Sequence, residues 1–508
     1  MLNTIRLSFK NSLVYGVGNI AVKVIGLLLI PLYTNRKYFT VDDFGIIALL
    51  EISGLILISL MASGLPQGMM RWYWDKDYVK DQKGIFFMSL TFQILIGVLF
   101  CILLLPFSST ISRIIFITPD LGRAIDLLII SAALQSVNNL IGTLMQVQSK
   151  PVLFTVTNSI KLLIVLSLTI FLIVNKHLGI EGIYLAQIAG NLLFILLLSV
   201  YSFRNIKPYF NPGLFRQMSS YGFPLLLANL ATAIFSAVDR YSLNSLALLK
   251  YVALYSLAFK LSSVLKLVIV DSVKIAIRPM VLQKINDPAN HRFYAKTLLY
   301  SSYVLMIGII TVSLFSYEVI KVISKSTEFW NAFLIIPLLC LSVFFVNMRE
   351  TTSYGLLIKK RTGIVGINVV VSTILNILLN IMLIPRWDIM GAALATMLTQ
   401  MIYWYLNYYF SQKEYFIPYE SRKIVILFLS GALFSFVGLI INDLSLILRI
   451  LIKSGCILSY PFVLFFLNFY EDSEIQAIRG FFRKWSNPAR FTSNLKSLRN
   501  IKNDFDWQ

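Results

Sequence analysis

The sequence predicts an all-α integral membrane protein of about 14 transmembrane helices, arranged as two pseudo-symmetric six-helix lobes followed by two further helices. Three observations predict it. Of 508 residues, 57% are hydrophobic and 14% charged, with a mean hydropathy of +0.76. Soluble domains run at roughly 45–50% apolar and about 25% charged. Second, apolar runs of about 18 or more residues recur from residue 13 to residue 470, each able to cross a hydrocarbon core about 30 Å thick. In lipid every backbone group must be satisfied internally, so such runs are helices. The third observation is a repeat. GMMRWY, with Arg71, and AIRPM, with Arg278, stand 207 positions apart. Tyr15-Gly16 recurs as Tyr221-Gly222, and KHLGIEGIYLAQIAGN (176–191) recurs as RWDIMGAALATMLTQ (386–400), with Gly182 falling on Gly391. Two like halves in a bilayer place a substrate between them and rock one against the other.

Taken in order, the spans of the first half fall at about 13–34, 42–64, 85–107, 124–147, 152–174 and 180–200. The first follows Arg6 and Lys10, but it is long and lacks a small-residue cleavage site, so it stays as a span. Those of the second half fall at about 221–244, 251–272, 297–316, 330–348, 364–384 and 390–410. The last two are 424–441 and 446–469. The runs at 124–147 and 330–348 carry the most polar residues. The predicted division is 1–210 for the N-lobe, 211–415 for the C-lobe, 416–470 for the final pair and 471–508 for a basic tail. Pro31, Pro66, Pro224 and Pro385 fall at or near helix ends, and Pro224 is placed to kink its helix. Tyr403, Trp404, Tyr405, Tyr408 and Tyr409 read as an interfacial aromatic belt.

A net charge of +21 would suggest nucleic acid in a soluble chain. Here its distribution sets orientation instead. With residue 1 inside, about 29 Lys and Arg fall in cytoplasmic segments, about 10 outside and about 6 within spans. Both termini are therefore expected in the cytoplasm, and the basic tail on anionic lipid. No nucleic-acid partner is implied. No GxxxxGK[ST] loop occurs, so the chain is not expected to hydrolyse ATP. His177 and His291 are the only histidines, and Cys101, Cys340 and Cys456 show no pairing or metal spacing. External connections are short, the longest being roughly 108–123, which disfavours a membrane glycan polymerase or ligase. No catalytic residue, cofactor or metal is expected.

Several stretches carry a family resemblance. DDFGIIALLEISGLILISLMASGLPQGMMRWY (42–73), YGFPLLLANLATAIFSAVDRYSL (221–243) and KYVALYSLAFKLSSVL (250–265) resemble polysaccharide-export flippases. NILLNIMLIPRWDIMGAALATMLTQ (376–400) is similar to a motif of that family at Asn376, Asn380, Pro385, Gly391 and Thr396, and departs from it at Asp388, where the family has glycine. The likeness covers about residues 10–410. It implies an inner-membrane flippase, of the superfamily that also holds multidrug exporters and peptidoglycan-precursor flippases. The implied substrate is a polyprenyl-diphosphate-linked oligosaccharide, an O-antigen or capsule repeat unit, moved by alternating access. Membrane lipid and a polysaccharide polymerase are the implied partners, and a monomer is expected. The alternative on the same fold is a cation-coupled multidrug exporter. Such exporters tend to carry an acid in the first span, where this chain has Lys23.

Charges within spans are costly, at least about 2.5–3.5 kcal/mol each on insertion scales, and usually face a cavity. Lys23, Lys161 and Lys260 lie too deep for their stems to reach water, whereas Lys266 is near enough to the cytoplasmic end to snorkel. These four are the candidate substrate-binding cations, and a diphosphate is the anion they suit; pairing with a neighbour for packing is the competing role of each. Glu51 lies one repeat offset from Lys260 and is expected to pair with it across the lobes, to pair locally with Lys23, or to serve as a coupling site. Arg71 and Arg278 are repeat mates placed to flank a cytoplasmic mouth, or ordinary positive-inside arginines. Asp239 and Arg240 are expected as an outer-gate or bracing pair. Asp126 and Asp271, near span ends, are expected at the interface.

Overall fold

The computed structural model describes residues 28–116, 121–283 and 290–476. Lys23, most of the first predicted span and the tail from residue 477 lie outside the described residues. Among the described residues, twelve helices are long and apolar enough to cross a membrane, and the one at Gly363–Glu414 is broken at Asp388 into two predicted spans. The chain is a multi-pass, all-helical membrane protein. Its fold agrees with the predicted class, with the count of 14 as an approximation.

Local chemistry sets the boundaries. Helix α1 (Val41–Ala62) opens with a capping box: the Thr40 hydroxyl accepts from the Asp43 amide at 3.1 Å, and the Asp43 carboxylate accepts from the Thr40 amide at 2.8 Å. Such a cap is worth about 1 kcal/mol. The helix ends at Ser63 (φ 50°) and Gly64 (φ 72°), and Pro66 starts α2 (Leu65–Trp72). The run predicted as one span over 42–64 therefore continues as a second, short helix that carries Arg71.

Helix α1 then packs with α3 (Gln82–Leu104), α4 (Gly122–Val147) and, through α4, α6 (Gly179–Leu197); α5 (Pro151–Val174) lies against α6 at the edge. A second set comprises α7 (Pro212–Leu246), α8 (Leu249–Leu265), α9 (Asp271–Gln283), α10 (Asn290–Leu314), α11 (Ile336–Thr352) and α12 (Thr362–Glu414). A π turn, Lys266–Val270, joins α8 to α9. The two sets meet where α1 packs on α7 and α8 and where α2 packs on α7. At the end predicted to face outward, Arg36 is ion-paired with Glu328, and the Phe44 ring meets Phe329 edge-on at 5.2 Å. At the other end the Gly64 and Gly222 backbones touch, and Trp72 meets Tyr221 edge-on at 5.5 Å. A Cβ on either glycine would overlap the partner's main chain.

The break in α12 explains a motif. Asp388 holds φ 45° and ψ −124°, a conformation that crowds any Cβ. Glycine takes it without that cost, which gives the physical reason for the glycine the resemblance leads one to expect there.

The final helices, α13 (Ser421–Ile440) and α14 (Leu446–Phe466), are fastened at both ends. The fully buried Lys453 of α14 pairs with Glu318 at 2.7 Å. Below, Lys296 of α10 pairs with Glu420 at 2.8 Å and Glu471 at 2.6 Å, while Lys423 adds contacts of 2.6 and 3.3 Å to the same two acids. The bond from Lys296 holds the Glu471 carboxyl below its ordinary range. Partial burial pushes Glu420 up, but the Lys296 and Lys423 bonds outweigh it and leave that carboxyl lowered as well.

Candidate functional site

A cavity of about 1040 Å³ opens in the second helix set, between α7, α8–α9, α11 and the two halves of α12. Its wall toward the predicted cytoplasmic end carries Lys266, Lys274, Arg278, Arg349 and Glu350. Each cation is positioned by its helix. Lys266 stands in the π turn and holds Asp271 at 3.1 Å. Lys274, one helical turn beyond Asp271, reaches across to Glu350 of α11 at 2.7 Å. Arg349 is held on three sides: Glu350 at 3.2 Å, Gln400 at 3.1 Å, and the Tyr403 ring, 4.3 Å from the guanidinium carbon. Only 15% of the Arg349 side chain is exposed, so it is a fixed post, whereas Lys266 and Lys274 retain 44% and 39%.

At the floor of the cavity the buried Asp239 carboxylate collects four neutral groups. Its Oδ1 accepts from the amides of Asn376 at 3.1 Å and Asn380 at 2.9 Å. Its Oδ2 accepts from Tyr255 at 2.7 Å and lies 2.9 Å from the Thr396 hydroxyl. Asn376 and Asn380 stand four apart on one face of the first half of α12, and Thr396 comes from the second half. The motif residues thus converge on one charge. Charge-assisted bonds of this kind are roughly twice as strong as neutral ones. Among the described residues no group of three His, Cys, Asp or Glu is placed to hold a metal ion. Arg240, next in sequence, turns away: it donates to Ser256 at 3.0 Å and to the Ser236 carbonyl at 2.9 Å, under the Phe259 ring.

The sequence-derived candidates separate accordingly. Lys266 and Arg278 line the cavity. Lys260 lies between the helix sets, its Nζ 2.8 Å from Glu51 of α1, the cross-lobe contact that the repeat offset suggests. Lys161 does not reach the cavity. It donates to Gln135 at 2.7 Å and lies over the Phe194 ring, within the packing of α4, α5 and α6, because α5 runs at the edge of its set. Arg71 stays outside the lining of this cavity; it is exposed and pairs with Asp75 at 3.3 Å. Asp239 and Arg240 form no ion pair with each other among the described residues; each braces α7 separately. Asp271, expected at the interface, is the partner of Lys266. Tyr403, read as part of an aromatic belt, is buried beneath Arg349. Lys274, Arg349 and Glu350 escape the sequence reading because they sit just past the ends of apolar runs, where charges are ordinary.

Residues 38–334, more than half of the chain, match the sequence profile of the family described as "Polysaccharide biosynthesis protein". The chain belongs to that family. Among solved structures, the lipid II flippase MurJ in an inward closed conformation is similar, with a TM-score of 0.72 at 16% identity over 89% of this chain and 99% of that one. A multidrug resistance MATE family transporter of the MOP superfamily is also similar, inward-facing, with a TM-score of 0.67 at 12% identity over 81% and 95% of the two chains. Its outward-facing conformation gives 0.58 at 13% identity over 82% and 96%. These likenesses establish the shared fold. No curated protein matches the sequence.

Proposed function

We propose that this protein carries a polyprenyl-diphosphate-linked oligosaccharide, an O-antigen or capsule repeat unit, from the cytoplasmic to the outer leaflet of the bacterial inner membrane. The observation that carries the reading is the wall of Lys266, Lys274, Arg278 and Arg349 in an otherwise largely apolar cavity. A diphosphate is the anionic part of such a substrate, and fixed cations in a low-dielectric site lower the cost of moving it. The sugars occupy the cavity while the polyprenyl chain stays in lipid. The two lobes, 1–210 and 211–415, rock about the α1–α7–α8 contact, and the Glu51–Lys260 pair closes the outer side of the inward-facing state. Family membership supports the polysaccharide pathway, and the fold shared with a lipid II flippase supports a lipid-linked cargo. Both termini face the cytoplasm, the protein acts as a monomer, and a polymerase consumes the product. Lys161 and Arg71 have no part in binding.

The test is mass spectrometry of polyprenyl-diphosphate lipids from cells that lack both this protein and the polymerase. One glycan-loaded carrier accumulating on the cytoplasmic leaflet is the expected result, and it also identifies the glycan. An unchanged lipid pool refutes the reading.

A further inference from the structure

The cation wall brings its own anions. Glu350 takes Lys274 on one oxygen and Arg349 on the other, and Asp271 takes Lys266 on both oxygens at 3.1 and 3.2 Å. Lys266 and Asp271 are five positions apart. In an α-helix such positions diverge by about 140° around the axis, since each residue turns about 100°. The π turn over Lys266–Val270 winds more slowly and brings the two onto one side. Within the described residues Arg278 has no carboxylate partner.

We propose that Glu350 and Asp271 are internal stand-ins for the substrate's diphosphate, holding Lys274 and Lys266 while the cavity is empty and giving them up when it is loaded. This rests on the reading of the cavity as a diphosphate site. A carrier must reorient twice in each cycle, once loaded and once empty. Uncompensated lysines in the cavity wall would make the empty return slow, because closing the cavity around a bare charge strips it of water. Internal carboxylates keep the empty cavity close to neutral. Arrival of a diphosphate at Arg278 then gives Lys266 and Lys274 a new anion, so that no cation is stripped bare, while Glu350 keeps Arg349. The residues are suited to this division. Lysine is a mobile point charge that changes partner readily, and both exchanging lysines are partly exposed. Arg349 stays in place against Gln400 and Tyr403, as a fixed reference.

The experiment uses the full chain reconstituted in liposomes, with a dye-labelled short-chain polyprenyl diphosphate as transported probe and inorganic diphosphate as competitor. Net translocation requires the empty return; exchange, with probe in both leaflets, does not. Glu350→Gln and Asp271→Asn are expected to bind inorganic diphosphate about five- to tenfold tighter, the scale of one partly buried charge contact. The ratio of exchange to net transport is expected to rise about tenfold. Lys274→Gln should weaken binding of the competitor. If the acid variants bind no tighter, or lose exchange and net transport in equal proportion, Glu350 and Asp271 are structural and the proposal is overturned while the flippase reading stands. If the unaltered protein neither binds nor moves the probe, and Lys274→Gln changes nothing, the diphosphate site itself is refuted and this proposal with it.

Discussion

Removing the Glu51–Lys260 contact should loosen the join between the two helix sets by a calculable amount. Lys260 Nζ lies 2.8 Å from Glu51 Oε2, with 23% and 40% of the two side chains exposed. Unit charges about 4 Å apart attract by about 4 kcal/mol at an effective dielectric constant near 20. Solvent screening of the exposed glutamate and the cost of desolvating both groups offset most of this, leaving a coupling of about 1–2 kcal/mol. Lys260→Gln or Glu51→Gln alone leaves the other charge without its partner between the helix sets and should cost about 2 kcal/mol. The combined Glu51→Gln, Lys260→Gln variant removes both charges and should cost no more than either single change. The assay is a double-mutant cycle on unfolding in nanodiscs, with the exchanged pair Glu51→Lys, Lys260→Glu as the recovery control. If the two single effects simply add, the pair does not couple the helix sets. Stability within about 0.5 kcal/mol of the parent for both single variants would sink the argument just as surely.

Three further outcomes are expected. Asp239→Ala leaves four buried polar groups without their acceptor; at about 0.6 kcal/mol per bond in membranes and about 1–3 for an orphaned group in a core, the loss should be about 2–5 kcal/mol. A loss below about 1 kcal/mol in bicelle unfolding contradicts the bracing role. Gly222→Ala forces a methyl group against the Gly64 main chain and should destabilise by about 1–3 kcal/mol, whereas Gly455→Ala, where a Cβ meets nothing within 4 Å, should not lower the melting temperature. The Lys296 cluster sets a pH dependence. The carboxyls of Glu420 and Glu471 are lowered in the folded protein, so their stabilisation is present above the unfolded carboxylate value of about 4.3 and is lost as pH falls through their lowered folded values. Melting curves should therefore be flat in this respect down to about pH 5 and fall below it, and Lys296→Gln should reduce that fall. A pH response of Lys296→Gln identical to the parent's contradicts the clamp.

Much of this protein is determined by sequence alone, for a physical reason. A bilayer core admits only backbones that satisfy themselves, so long apolar runs fix the helices without reference to neighbours. The broken span at Asp388 was legible as two runs separated by a loop, and the repeat offset brought Glu51 to Lys260 because related lobes carry related depths. Depth, however, is all that an apolar run reveals; facing is decided by packing. Lys161 is as deep as Lys260 in the sequence, yet its helix runs at the edge of its set and its amine ends on Gln135. Asn376, Asn380 and Thr396 carried the family likeness, but only the folding of α12 onto α7 and α8 showed that they gather around Asp239. Arg349 and Glu350 stand just past a span end, where the sequence gives them no distinction, and only the packing of α9 and α12 encloses them in the cavity wall. The sequence determined which segments cross the membrane and which charges lie within them. The tertiary structure decided which of those charges meet, because contacts between helices depend on rotation about each axis, and nearly uniform apolar runs leave that rotation unspecified.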